Sequence, residues 1–373
     1  MISKIKTIIG RNITNARGWK TKRKIVVIES DDWGSIRMPN KKTLNNFLKL
    51  GYNLGKDPYC FNDTLANTED LTEIFEVISS CQNERKQYPK FTFNTVMANP
   101  LFNDIKKSGF TEYFYEAFTE TLKRYYPKES VFNLWQQGIN ENLLQPQFHG
   151  REHVNVYSWL RKLKEGNKPL LDAFDFGFWG IPKSLYGEET TNLQASFGTA
   201  DPLIFNFLKE NISVGLKLFE DVFNFKSKTF IANNYTFPEN LYSSLKENGV
   251  IGIQSIKKQK LPQQNMKIRT KNIYTGKQNQ MHQKYTVRNA FFEPSLRSKN
   301  FDNVKNCLLQ IENAFFWKKP AIISSHRVNY IGRINKKNRQ SNLIMLKELL
   351  SQIIRKWPEV EFLSSDELVG DIS

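Results

Sequence analysis

The stretch KIVVIESDDWGS, residues 24–35, runs from β-branched residues directly into two adjacent carboxylates, Asp31 and Asp32. An apolar, β-branched run of this length predicts a buried strand. In a regular strand successive side chains point to opposite faces, so Asp31 and Asp32 cannot both follow the inward alternation. One can then ligate a cation while the other faces a substrate. A turn or a helix N-cap also accommodates aspartate, and on this stretch alone both readings stand.

Further along the chain, similar runs end in polar residues: FTFNTVMAN (91–99), PQFHG (146–150), KTFIANN (228–234), GVIGIQS (249–255), TVRNAFFEP (286–294) and PAIISSH (320–326). Between many of them lie helix-length amphipathic segments, among them 71–86, 202–223, 238–249 and 341–357. A last short strand and helix are expected in PEVEFLSSDELV, 358–369. Strands alternating with helices predict a parallel sheet covered by helices, and seven or eight strands suffice to close a barrel. Barrels of this kind carry their functional residues at the C-terminal strand ends. Here titratable residues stand at three such ends: Asp31 and Asp32, His149, and His326. We expect one catalytic domain over 1–373, with a barrel core at about 24–366 and loop-rich insertions at about 33–90 and 256–285.

Composition narrows the function classes. The chain has 373 residues, of which 39% are hydrophobic, and no stretch approaches the roughly 20 apolar residues of a membrane span. The opening 20 residues lack an apolar export segment of ordinary length, so a cytoplasmic location is expected. Three cysteines far apart, Cys60, Cys81 and Cys307, indicate neither a disulfide framework nor a thiolate zinc site. The net charge of +17 is spread along the chain in short clusters without a nucleic-acid motif. Solvated faces are therefore preferred to a nucleic-acid footprint, which would predict tight, steeply salt-dependent binding.

Only four histidines occur, and two of them, His149 and His153, fall in FHGREH, 148–153. On a helical turn such a pair would share one face and one cation. Glu152 precedes the second histidine, so the HExxH protease pattern is absent. His326 ends a buried-looking strand, and His282 is assigned to an exposed loop. A GxSxG elbow, a Walker loop and a GxGxxG fingerprint are all missing.

Asp-Asp ending the first strand, HxxxH ending a later one and a single histidine ending a penultimate strand resemble the polysaccharide deacetylases, the NodB homology family of carbohydrate esterases. The resemblance covers roughly residues 24–366 and implies a distorted (β/α)7–8 barrel holding one divalent metal ion, zinc. It implies hydrolysis of an N-acetyl or related acyl group on an amino sugar of a polysaccharide or its precursor. Carried over, Asp32, His149 and His153 would be the metal ligands, Asp31 the general base and His326 the general acid. The family's middle-strand arginine, which orients the base, corresponds here to asparagine in FIANNYTFPEN (230–240). Asn234, Arg151 or Arg288 are the candidates to replace it, and Gly150 stands where the family has Ser or Thr. Trp33, by position, and more weakly the aromatics of 109–118 and 178–180, are candidates to stack on a carbohydrate substrate. With no export segment, the expected substrate is a lipid-linked or nucleotide-linked amino sugar. Competing readings are a hydrolase of another linear amide, and an inactive barrel serving as a glycan-binding or scaffold protein.

Overall fold

A computed structural model describes residues 10, 12–187, 192–264, 267–298 and 300–373. Much of the opening segment used above to judge export, residues 1–9 and 11, lies outside the described residues. Thirteen strands occur in the described residues: β1 Ile25–Trp33, β2 Phe91–Thr95, β3 Ala98–Pro100, β4 Tyr115–Ala117, β5 Leu144–Phe148, β6 Thr229–Ile231, β7 Gly252–Ser255, β8 Lys258–Pro262, β9 Ile268–Asn272, β10 Lys284–Val287, β11 Ala290–Phe291, β12 Ala321–His326 and β13 Glu361–Leu363.

The main sheet is wholly parallel, in the order β10-β7-β6-β5-β2-β1-β12-β11, with β13 also beside β1. Its two ends are successive pieces of one chain segment. β10 pairs with β7, and two residues later β11 pairs with β12. At the break, the Arg288 amide donates to the Ser255 carbonyl and the Asn289 amide donates to the Ile322 carbonyl. One bent stave thus changes neighbours and closes the ring, giving seven staves and the expected distorted barrel.

Alternation along the staves stacks the interior in layers. At the floor, Ile25, Val27 and Ile322 pack on Leu368 and Ile372 from the C-terminal helix Ser365–Asp371 and its end. Above it lies a polar layer. Asn94 and Gln254 exchange amide hydrogen bonds of 2.8 and 3.0 Å, Gln254 reaches Thr229, and Thr229 reaches Gln147. Glu29 and Arg288 belong to the same layer, paired at 2.6 Å. The opposite strand faces, with Val26, Ile28, Phe91, Phe93 and Ile253, join the large core under the helices. The helix Thr68–Ser79 shows how sequence sets these elements: Asn67 and Asp70 form a capping box, and Leu71, Ile74, Phe75 and Ile78 bury one stripe.

Two expectations are corrected. Residues 33–90 carry, besides the helix Thr68–Ser79 that falls largely in the expected 71–86 segment, two helices that were not expected, at Lys41–Lys49 and Pro58–Asn62. The Lys- and Gln-rich stretch 256–285 holds the antiparallel hairpin β8–β9, in which β9 is mostly exposed while β8 buries Gln259, Leu261 and Pro262. No helix of the described residues is long and apolar enough to cross a membrane. All three cysteines are buried and free, and His282 is exposed.

Candidate metal centre and its flanking acid and base

The two aspartates reach the barrel mouth together through a bulge. Ser30 pairs with Phe93 and Trp33 with Thr95, so β1 uses one residue more than β2 over this span. Asp32 takes up the extra residue with φ 74°, a left-handed backbone that is costly outside glycine. The bulge turns both carboxylates towards the mouth and sends Trp33 outward. Trp33 is 0% exposed, stacked on Phe93 at 3.6 Å, with its indole N–H donating to Ser30. It is a core residue with no surface exposed at the mouth, where its position had suggested a stacking contact.

His149 follows β5, and its segment to His153 is irregular rather than a helical turn. Gly150 at φ 104° bends the chain, and the Gly150 and Arg151 carbonyls accept from the Met97 and Ala98 amides. This bend, not i to i+4 helical spacing, brings the two imidazoles to 5.3 Å between centroids. Asp32 Oδ1 is 3.0 Å from His153 Nε2 and 3.4 Å from His149 Nε2. One donor atom from each of the three buried residues lies within 4.8 Å of the others, the one such group among the described residues.

This donor set fits a divalent cation. His149 Nδ1 lies 2.9 Å from the Ile231 carbonyl, which selects the tautomer with Nε2 free. Burial, only partly offset by Asp32, pushes His153 down to about 4, so its imidazole is neutral and keeps a lone pair. Its Nδ1 is buried without a hydrogen-bond partner. Asp32 is held well below the usual carboxylate range, because His153 and Arg37 outweigh its burial.

Asp31 stands beside this set under a different control. Arg288 donates to Oδ2 from Nη1 at 2.7 Å and to Oδ1 from Nη2 at 2.6 Å, and Asn94 donates to Oδ1 at 2.7 Å. Burial raises the Asp31 carboxyl, but the guanidinium more than offsets it, leaving the group below its ordinary value. His326 Nε2 is 3.7 Å from Asp31 Oδ2, and His326 Nδ1 is 2.7 Å from Glu293 Oε1. Burial lowers the imidazolium, Glu293 more than restores it, and His326 is pushed up to about 9. Tyr59, half-buried, lies edge-on to His326 with ring centroids 5.8 Å apart.

The other candidates separate clearly. Arg288 is buried behind Asp31 and orients it, so it is placed to position the carboxylate rather than to meet a substrate. Arg151 turns away, paired with Glu152 at 2.7 Å and lying over Tyr115 at 4.2 Å, which also removes Tyr115 as an open stacking surface. Asn234 is not the neighbour that reaches the site. Asn233 is, donating to the His149 carbonyl at 3.0 Å. Trp179 of the 178–180 aromatics is buried and stacks on His153 at 5.7 Å. Sequence reading missed Glu293, Asn233, Asn94 and Arg37. Glu293, as a carboxylate ending the run TVRNAFFEP, and Asn233, in the polar end of KTFIANN, carried a positional signal; Asn94 and Arg37 carried none of that kind.

No family model matches the sequence, and no curated protein matches it. Among solved structures, one described as a polysaccharide deacetylase from Mycobacterium smegmatis is similar at 8% identity and a TM-score of 0.46, over 96% of this chain and 93% of that one. The Puue allantoinase is similar at 8% identity and a TM-score of 0.45, over 94% and 91%. A 4-alpha-glucanotransferase from Thermococcus litoralis is similar at 9% identity and a TM-score of 0.46, over 94% of this chain but only 40% of its own length.

Proposed function

We propose that the chain is a divergent polysaccharide deacetylase, a metal-dependent hydrolase that removes an N-acetyl or related acyl group from an amino sugar. The observation that carries this reading is the flanking of one buried Asp/His/His donor set by a carboxylate, Asp31, clamped by Arg288 and Asn94, and by an imidazole, His326, hydrogen-bonded to Glu293. Asp32, His149 and His153 would hold one divalent ion, for which zinc suits two imidazoles and a carboxylate. Such an ion, when bound, supplies Lewis-acid polarisation of an acyl oxygen and acidifies water.

The chain's own residues account for the proton traffic. Asp31, kept ionised by Arg288 and Asn94, is the base that takes a proton from water. Both oxygens are held, so the carboxylate is oriented before substrate arrives. An amine does not leave as an anion, and His326, kept charged by Glu293, is the acid that protonates it at nitrogen. Arg288, from the bent stave, takes the orienting part that the family's middle-strand arginine plays. Its presence removes the main ground for the inactive-barrel reading.

The test is acyl release from a panel of N-acylated amino sugars, free and carrier-linked, by the metal-loaded protein. Wild type is expected to release acid from at least one of them, and Asp31→Asn to be slower by about 10²-fold or more with metal content unchanged. No release from any member, or an Asp31→Asn variant as fast as wild type, contradicts the reading.

A further inference from the structure

Arg37 approaches Asp32 from the side away from the imidazoles. Oδ1 of Asp32 faces His149 and His153, whereas Oδ2 is 3.4 Å from Arg37 Nη2. The guanidinium is 4% exposed, lying over Trp179 at 4.8 Å and Tyr59 at 5.2 Å. Its Nε makes no hydrogen bond and is 3.6 Å from Asp63. Asp63 is gripped by Arg327 through two hydrogen bonds of 3.1 Å, and Arg327 donates to the Ser35 carbonyl at 2.6 Å. Buried charges thus alternate through Arg327, Asp63, Arg37 and Asp32, each compensated by its neighbours. Burying an arginine this deeply is costly unless it is paired, and removing any one member of the chain would strand another buried charge.

We propose that Arg37 is a positioning residue that fixes Asp32 as a one-oxygen metal ligand. A carboxylate free to turn could offer both oxygens to a cation. Here the second oxygen is held by a cation of the protein itself, caged by two rings and anchored through Asp63. The three residues would then supply three donor atoms to an ion and would leave its other positions to water and substrate, as a catalytic site requires. The inference rests on the metal reading proposed above and specifies how that site stays open.

Cobalt(II) alone, titrated into the full-length protein, tests it. Wild type is expected to bind one ion per chain with the strong visible absorption of a site of low coordination number. Arg37→Gln is expected to bind one ion too, with that absorption reduced about threefold or more as Asp32 turns to bind through both oxygens. Arg37→Lys, which keeps a charge at Oδ2, should restore it. Wild-type and Arg37→Gln spectra that coincide overturn the inference while leaving the metal reading in place. A wild type that binds no cobalt overturns the metal reading, and this inference with it. Should Arg37→Gln not fold, judged by circular dichroism, X-ray absorption of zinc-loaded wild type decides. A carboxylate bound through one oxygen supports the inference, and one bound through two overturns it.

Discussion

Asp32 and its neighbour Asp31 differ by one bond's direction and by their partners, and those partners assign them different work. Asp32 faces two imidazoles, whereas Asp31 is clamped by Arg288 and Asn94. The adjacent carboxylates and the strand-end histidines were legible in sequence because they end apolar strands at several separate places, a combination more informative than any one of them. Of their partners, Arg288 was legible only as one of three candidates and Glu293 and Arg37 not at all, because these side chains are joined to them by closure of the barrel rather than by spacing. Glu293 shows what such a partner does. It raises His326 above an ordinary histidine value near 6.5, to about 9. A base raised on folding contributes stability that is full below its unfolded value and is lost as pH rises through the folded one. In metal-free protein, urea unfolding should therefore show wild type losing stability relative to Glu293→Gln between about pH 6.5 and 9. The basic limb of the pH-rate profile should move to lower pH in the variant. A difference between the two proteins that does not vary with pH contradicts this account of His326.

At the scale of elements, the loop after β5 decides whether two histidines meet. The sequence pattern HxxxH suggested a helical face, and the two side chains do meet, but by another route. Gly150 at φ 104° bends the chain, and a Cβ there would lie 3.1 Å from the Glu152 carbonyl and 3.3 Å from Asn233 Oδ1. Gly150→Ala should cost on the order of 1–3 kcal/mol in stability, through backbone strain, and weaken zinc binding in competition with a chromophoric chelator. Unchanged affinity in a folded Gly150→Ala protein would mean that the bend does not set the ligand geometry. The same scale explains Trp33. Its place after two functional residues suggested a substrate contact, but the bulge that turns Asp32 inward also restores Trp33 to the outward, core-facing alternation. Bulges shift the register by one residue and are invisible to periodicity, which is why this position misled. The helices Lys41–Lys49 and Pro58–Asn62 were missed for a related reason: they are short, bounded by Pro, Gly and Asn, and give only brief periodic signals, whereas the longer Thr68–Ser79 fell largely within the segment read as helical.

Over the whole molecule, alternation of strand and helix was enough to read a parallel barrel, and the strand-end residues it singled out, Asp32, His149 and His153, do lie together at one end of it. Closure through one broken stave, β10 and β11, was not readable, because the break at Arg288 and Asn289 depends on which neighbours each half finds. That break also delivers Arg288 to Asp31, so the feature that closes the barrel is the one that clamps this carboxylate. The central claim is that this barrel holds one metal ion between Asp32, His149 and His153. Elemental mass spectrometry on the purified protein, after zinc reconstitution and removal of free ion, tests it beside a His149→Ala, His153→Ala double variant. About one ion per chain in wild type and none in a folded double variant is the predicted result. Equal metal content in the two proteins, or no stoichiometric ion in wild type, would contradict it.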